Sequence, residues 1–157
     1  RVSASGQRHA GLVYKHRDKI KETVIWNIER GLELDAARIG AAIALRSALY
    51  ERMRLFMERY EFLILPVNQV PPFPVSQPYV DTIDGVKLDN YIDWMKSCWY
   101  VSATGNPAAS VPGGFTPEGL PVGVQIVGRN KEDFSVLQMA HAFEQATGFG
   151  KKHPAIA

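Results

Sequence analysis

Two apolar segments joined by a short turn sequence place the strongest constraint on the fold. The turn sequence Thr116-Pro117-Glu118-Gly119 lies between the apolar segments Ala109–Phe115 and Val122–Val127. Proline early and glycine late are the residues that a tight reversal requires, because proline fixes φ and glycine tolerates a positive φ. Apolar runs on both sides of such a turn predict an antiparallel pair of strands.

A third strand is predicted upstream, at Phe62–Leu65, where four apolar residues precede Pro66. A short, continuous apolar run is typical of a strand buried on both faces, as in a sheet covered by helices. The following segment, Val67–Gly85, is rich in proline and in turn-forming residues. It is therefore predicted to run as an extended, irregular loop, a kind of segment that often lines sites.

Helical periodicity describes the first third of the chain. Apolar residues at four-residue steps predict a helix within Tyr14–Arg30, interrupted by Gly31. Asp35 is a predicted N-cap for a longer helix, since aspartate commonly occupies that position. A stripe at three- and four-residue steps on this second helix is typical of a core face. Its members are Ile39, Ala42, Ile43, Leu49, Met53, Phe56, Met57 and Tyr60.

Two further helices are predicted in the second half. The aromatic segment Tyr91–Tyr100 places Trp94 and Cys98 on one helical face with Tyr91 and Met95. Asp133 is a predicted cap for a last helix through Thr147, which Gly148 ends. The residues of that helix predicted to face inward are Phe134, Leu137, Ala140 and Phe143.

Composition limits the class of protein. A chain of 157 residues with 46% hydrophobic residues is of the size of one compact globular domain. The net charge of +2 comes from interspersed basic and acidic residues, which argues against nucleic acid as a partner. No apolar run approaches the about 20 residues that span a bilayer, so no membrane is expected. The single cysteine, Cys98, fits a reducing compartment, and we expect a cytoplasmic protein.

The residues that could carry chemistry do not form a complete active site. The lone Cys98 lies in an aromatic segment, where a thiol is usually a small core residue. Ser110 lies in a predicted strand, outside any Gly-x-Ser-x-Gly sequence. The histidines lack the close spacing of a zinc site, so no metal and no other cofactor is expected. They are His9, His16, His141 and His153.

Three segments carry a resemblance to a known family. They are Ala103-Thr104-Gly105-Asn106-Pro107-Ala108-Ala109-Ser110-Val111-Pro112-Gly113-Gly114-Phe115, then Gly119-Leu120-Pro121-Val122-Gly123-Val124-Gln125-Ile126-Val127-Gly128-Arg129, then Ala140-His141-Ala142-Phe143-Glu144-Gln145-Ala146. Together they resemble the closing segment of the amidase-signature hydrolases. Upstream, Arg59–Pro66 is similar to the helix-then-strand element of that family, so the resemblance extends from about Ile20 to the end.

The resemblance implies an α/β fold, with a mixed sheet flanked by helices, and hydrolysis of a carbon–nitrogen amide bond to a carboxylate and ammonia or an amine. It also implies a serine nucleophile, a second serine in a cis peptide and a lysine, all in a Gly/Ser-rich stretch of the family's N-terminal half. No such stretch occurs here, since Ser3 and Ser5 stand in the sequence Val2-Ser3-Ala4-Ser5-Gly6-Gln7, which is not glycine-rich. No catalytic residue is therefore assigned, and residues 1–157 are expected to be the C-terminal part of a single amidase domain, with Arg1–Gln7 flexible and the N-terminal catalytic half absent.

The same resemblance suggests a substrate-binding region. The loop after the Phe62–Leu65 strand and the aromatic segment tend to face the acyl pocket in the family, which implicates Asn68, Gln69, Trp94 and Cys98. The aromatic segment favours a small amide with an apolar or aromatic acyl group. The related subunit of a glutamyl-tRNA amidotransferase is one alternative, and a non-catalytic interaction module is another. The isolated chain is expected to associate with the missing N-terminal half or with itself.

Overall fold

The computed structural model describes residues 10–11 and 13–152. These residues group into two compact units, one ending at Leu45 and the other beginning at Arg46. The boundary falls within the second helix, α2. The helices are α1 (Glu22–Leu32), α2 (Ala36–Arg59), α3 (Lys96–Thr104) and α4 (Asp133–Thr147), and the strands are β1 (Leu63–Pro66), β2 (Thr82–Ile83), β3 (Val86–Lys87), β4 (Ala108–Phe115) and β5 (Pro121–Val127).

The first unit is helical and has a small core of its own. A 3₁₀ turn at Arg17–Lys19 separates the helical residues 13–16 from α1. Val13, Ile25 and Ile28 are buried together in this unit, with Ile20 packed against them. Val24, which shares the predicted four-residue step with Ile20 and Ile28, is exposed, so the predicted apolar face is only partly correct. Gly31 does not interrupt the helix as predicted, because α1 continues through it to Leu32. The predicted flexible segment Arg1–Gln7 lies outside the described residues.

The second unit is built on a three-stranded antiparallel sheet in the order β1-β5-β4. In β1, Leu63 is opposite Val127 and Pro66 is opposite Val124. The predicted β4–β5 hairpin is confirmed, with Ala108 opposite Val127 on the other side of β5. The central strand β5 therefore joins two strands that do not pair with each other.

The reversal between β4 and β5 forms as its sequence predicts. Gly119 adopts a φ of 84°, which glycine tolerates because it has no Cβ. Its N–H donates to the Thr116 carbonyl at 2.9 Å, and the Thr116 N–H donates to the Leu120 carbonyl at 2.8 Å. A second, smaller hairpin closes the proline-rich loop, where Asp84 and Gly85 both have positive φ between β2 and β3. The prediction of irregular structure through Gly85 therefore missed β2, although Asp-Gly is a strong hairpin turn sequence.

The strand at residues 63–66 was predicted to be buried on both faces, but this prediction is wrong. Its burial alternates along the strand, and the Ile64 side chain is 48% exposed. The reason is its place in the sheet, because β1 is an edge strand whose only described neighbour is β5. An apolar run alone does not distinguish an edge strand with one covered face from a fully covered central strand.

The apolar stripe of α2 is mostly not core, which corrects the prediction. Met57 is buried with Val101 of α3 and Val127 of β5, and Met53 is packed against them. Ile43, Phe56 and Tyr60 are exposed. Within the second unit, the sheet has only three strands in the described residues and offers too little apolar surface to cover Phe56 and Tyr60.

The last helix has the predicted bounds but a different inward face. Gly148 ends it in the left-handed conformation, as predicted. Asp133 is the first helical residue and not the cap, since Glu132 holds that position. Val136 is the buried side chain, whereas Phe134 is 72% and Leu137 62% exposed. Ala140 and Phe143 are half-buried, so only those two residues of the predicted inward face are correct.

The α/β class predicted from the sequence is confirmed, with every pairing between the described strands antiparallel. Within residues 10–11 and 13–152, no helix combines the length and apolar character needed to cross a bilayer.

Candidate functional site

An open cleft of about 620 Å³ lies where β1 ends and β5 begins. Its walls come from the start of the proline-rich loop, from the 3₁₀ turn at Asp93–Met95 and from the first residues of β5. Because β1 and β5 are antiparallel, the end of one strand and the start of the other meet at the same edge of the sheet. Its lining includes Asn68, Gln69, Phe73, Trp94 and Gly123.

Two contacts hold the loop against the 3₁₀ turn. The Gln69 amide Nε2 donates to the Asp93 carbonyl at 2.7 Å. The rings of Phe73 and Trp94 meet edge to face, with centroids 5.4 Å apart and planes at 88°. Aromatic pairs favour this geometry because the positive edge of one ring meets the negative face of the other. One hydrogen bond and one aromatic contact therefore hold the loop against the 3₁₀ turn.

Behind the cleft, the end of β1 is fastened to α3. The Val67 carbonyl accepts hydrogen bonds from Ser97 Oγ at 2.6 Å and from Cys98 Sγ at 2.9 Å. The buried Gln125 side chain, 6% exposed, donates through Nε2 to the Pro66 carbonyl at 3.0 Å and to the Ser97 carbonyl at 3.1 Å. One amide therefore satisfies two backbone acceptors of different elements and fixes their separation.

Gly123 allows the loop to approach β5 closely. A Cβ at this position would lie 3.0 Å from Val67 Cγ2 and 3.4 Å from Ser110 Oγ. A methyl group there would be closer to the Val67 side chain than ordinary van der Waals contact, so that side chain would have to shift by a few tenths of an ångström.

The cleft is uncharged. None of its described lining residues carries an ionisable side chain. An ion pair joins the 3₁₀ turn to the start of α3, where Lys96 Nζ is 3.4 Å from Asp93 Oδ1. Close to it, burial raises the pKa of the Tyr91 phenol above its ordinary value, because desolvation disfavours the phenolate. The cleft can therefore recognise a neutral group, but its lining supplies no general acid or base.

The sequence-predicted site residues separate into two groups. Asn68, Gln69 and Trp94 line the same cleft. Cys98 lies behind it, donating to the Val67 carbonyl, with Asn68 Oδ1 3.5 Å from its sulfur. That these residues contact a substrate remains a prediction.

Sequence reasoning missed Phe73 and Gln125. Gln125 had a signal, because it is the one polar side chain in the apolar run of β5 and must find partners if that run is buried. Phe73 lies among prolines, and that position predicts an exposed side chain as readily as one that lines a cleft.

Metal ligands do not cluster in the described part of the chain. No group of three or more His, Cys, Asp and Glu residues among 10–11 and 13–152 could hold an ion. His9 and His153 lie outside the described residues.

Comparison with known proteins gives a consistent result. The sequence profile of the family described as Amidase matches residues 12–137. The acylamidase of Rhodococcus erythropolis is 31% identical over 140 residues, which cover 88% of this chain and 29% of that enzyme. A glutamyl-tRNA(Gln) amidotransferase subunit of Geobacillus kaustophilus is 38% identical over 99 residues, which cover 63% of this chain and 19% of that protein.

A solved structure agrees with the sequence relatives. That of a bacterial aryl acylamidase of the amidase-signature family superimposes with a TM-score of 0.80 and 26% identity. The superposition covers 95% of this chain and 32% of the acylamidase. The chain thus spans about a third or less of the length of the relatives that it matches.

Proposed function

The chain belongs to the amidase-signature family, and on that premise we propose that it forms the acyl-binding part of an amidase that hydrolyses a carbon–nitrogen amide bond to a carboxylate and ammonia or an amine. The observation that carries the proposal is the uncharged cleft, in which the Asn68 and Gln69 amides lie beside the Phe73–Trp94 ring pair. Carboxamide groups suit a neutral amide, and a pair of rings suits an apolar or aromatic acyl group.

Under this proposal, the chain binds the substrate but does not itself cleave the amide bond. Amide hydrolysis needs an activated nucleophile and a group that moves its proton. The cleft lining has neither, and the serine pair and lysine that the family resemblance implies have no counterpart in the sequence. We therefore expect the 157-residue chain to bind suitable amides without turning them over.

The aromatic pair distinguishes this proposal from its alternative. A substrate of the amidotransferase relative would be polar, and 38% identity to that protein keeps its function as the second candidate. The T-shaped Phe73–Trp94 pair favours an apolar or aromatic acyl group, for which buried aromatic surface supplies the affinity.

The test compares binding with turnover. Benzamide and glutamine are titrated separately against the chain, and binding is followed by the line widths of the ligand resonances and by the indole N–H shift of Trp94. We expect saturable binding of benzamide, its loss in Trp94→Phe by the ligand line widths, and no ammonia release. Trp26→Phe is the matched control, since Trp26 lies in the first unit.

Two outcomes would contradict the proposal. Preference for glutamine would support the alternative function. Ammonia release abolished by a serine-directed phosphonate would overturn the division of binding from catalysis, with Ser110 the first residue to substitute.

We further propose a cytoplasmic protein that associates through its second unit, with another part of an amidase or with a second copy of itself. A single cysteine allows no internal disulfide, which is the usual state in a reducing compartment. The exposed Ile64, Phe134 and Leu137 side chains support association, because burying apolar surface is favourable.

A further inference from the structure

A second pocket lies at the opposite end of β5 from the cleft. It has a volume of about 600 Å³ and is formed by the last turns of α2, the segment before β4 and the turn after β5. About six residues of extended strand separate its Arg129 from Gly123 in the cleft, or roughly 20 Å at the rise of a β-strand. The lining residues are Tyr50, Arg54, Met57, Glu58, Asn106, Arg129, Asn130 and Lys131.

The pocket carries an excess of positive charge. Its lining has three cationic side chains against one carboxylate. That carboxylate, of Glu58, pairs with Arg54, which also pairs with Glu51 at 2.8 Å. Among the described residues, no carboxylate lies within ion-pair distance of Arg129 or Lys131. These two cations therefore have charge available for a ligand.

Arg129 is held in a fixed orientation. Its Nε donates to the Met57 carbonyl at 2.8 Å, at the carbonyl end of α2. That bond offsets the partial negative charge of the helix end and uses only one of the five guanidinium N–H groups. The remaining edge of the guanidinium presents two parallel N–H donors, which fit two oxygens of one anion.

Lys131 sits in a backbone conformation that lysine rarely adopts. Its φ is 67°, in the left-handed region that favours glycine and asparagine. The turn around it is closed by Glu132 N–H donating to the Arg129 carbonyl at 3.0 Å and by Asn130 Nδ2 donating to the Gly105 carbonyl at 2.8 Å. A strained residue held in place by its surroundings is a frequent sign of function. Here the conformation places an unpaired ammonium in the wall of the pocket that holds Arg129.

From these observations we propose that this pocket binds a small oxyanion, a phosphate or carboxylate group, between Arg129 and Lys131. The exposed Tyr50 hydroxyl at the rim adds a neutral donor. The pocket shares no lining residue with the cleft, so this proposal does not depend on the proposed amide binding there.

The experiment titrates the chain with inorganic phosphate and, separately, with succinate, and follows the Arg129 Nε–H resonance. Sodium chloride at matched ionic strength is the third arm, because screening alone perturbs exposed charges. We expect saturable shifts with at least one of the oxyanions and none with chloride. Tighter binding of phosphate identifies a phosphate ligand, and tighter binding of succinate identifies a carboxylate.

The variants separate the site from general charge. Lys131→Asn removes the ammonium and places a residue that tolerates the left-handed conformation, so the turn is kept. It should weaken binding by roughly tenfold, the loss expected for one charge-assisted contact. Lys87→Asn makes the same change on β3, away from the pocket, and should leave binding unchanged. Equal weakening by both variants, no effect of Lys131→Asn, or a chloride response equal to that of the oxyanions would overturn the proposal.

Discussion

At the scale of single residues, the Gln125 side chain links two of the elements behind the cleft. It is buried, and its amide satisfies the carbonyls of Pro66 and Ser97. Those two acceptors belong to the end of β1 and to α3, so the amide sets the distance between the two elements. A buried carbonyl without a hydrogen-bond donor costs free energy. The stability of the fold should therefore be sensitive to replacing Gln125, even by an apolar residue of similar size.

Replacing this amide tests its role. Gln125→Leu should lower the free energy of unfolding by about 1–3 kcal/mol, because the two carbonyls lose their donor while the apolar volume is retained. Urea denaturation followed by circular dichroism measures the change. Gln138→Leu, on the exposed side of α4, is the matched control and should change stability by less than about 0.5 kcal/mol. Equal stability of the two variants would show that water satisfies the carbonyls in place of Gln125.

Residues that line the cleft could be predicted from the sequence where their position directly after a strand determines where they lie. Asn68 and Gln69 closely follow a strand, and residues in that position lie at the sheet edge. Trp94 and Cys98 share a helical face in the sequence, yet only Trp94 lines the cleft. The segment begins as a 3₁₀ turn and becomes α-helical only at Lys96, which changes the angle between successive side chains.

At the scale of elements, two helix ends were predicted correctly, at Asp35 and Gly148, whereas the predictions at Gly31 and Asp133 were wrong. Asp35 Oδ1 accepts from the Arg38 N–H at 2.7 Å, so the predicted cap of α2 has the expected geometry. The cap of α2 and the glycine at the end of α4 depend on local backbone chemistry, which the sequence states directly. The inward face of α4 depends on what covers it, and Phe134 is as apolar as the buried Val136.

Removing the Asp35 cap of α2 tests how much that cap contributes to stability. Asp35→Ala should lower stability by about 1 kcal/mol, because the N–H of Arg38 loses its acceptor. Thermal unfolding measures the difference. Asp133→Ala is the control, since Asp133 is the first residue of α4 and does not cap it. Its loss should cost only the weaker interaction with the helix dipole, about 0.3–1 kcal/mol at most. A larger effect at Asp133 would mean that the cap of α4 forms in solution as the sequence suggests.

At the scale of the whole molecule, exposed apolar side chains are the main departure from the sequence prediction. Ile64, Phe134 and Leu137 were expected in the core and are largely exposed in the second unit. A residue pattern reports which side chains are apolar, but burial also requires a partner surface. The described residues provide that surface for Met57 and Val136 and not for these three.

Association is the prediction that follows. At micromolar concentration, light scattering should give a mass above that of the 157-residue chain, because exposed apolar side chains contribute about 25 cal/mol per Å² when covered. Phe134→Ser combined with Leu137→Ser should shift the population toward the monomer. His141→Ser combined with Gln145→Ser, on exposed positions of the same helix, is the control and should leave the mass unchanged. A monomer of the sequence mass that binds no apolar dye would refute the prediction.

The strand order also fixes a sequence of events during synthesis. Among the described strands, β1 and β4 pair only with β5, and β5 is the last of the three to leave the ribosome. β4 can pair with it at once across a short turn, whereas β1 must pair across a sequence separation of 59 between Pro66 and Gln125. Until Val127 has emerged, the pairing of β1 and β4 with β5 is incomplete, and their apolar residues are open to a chaperone that binds apolar chain segments.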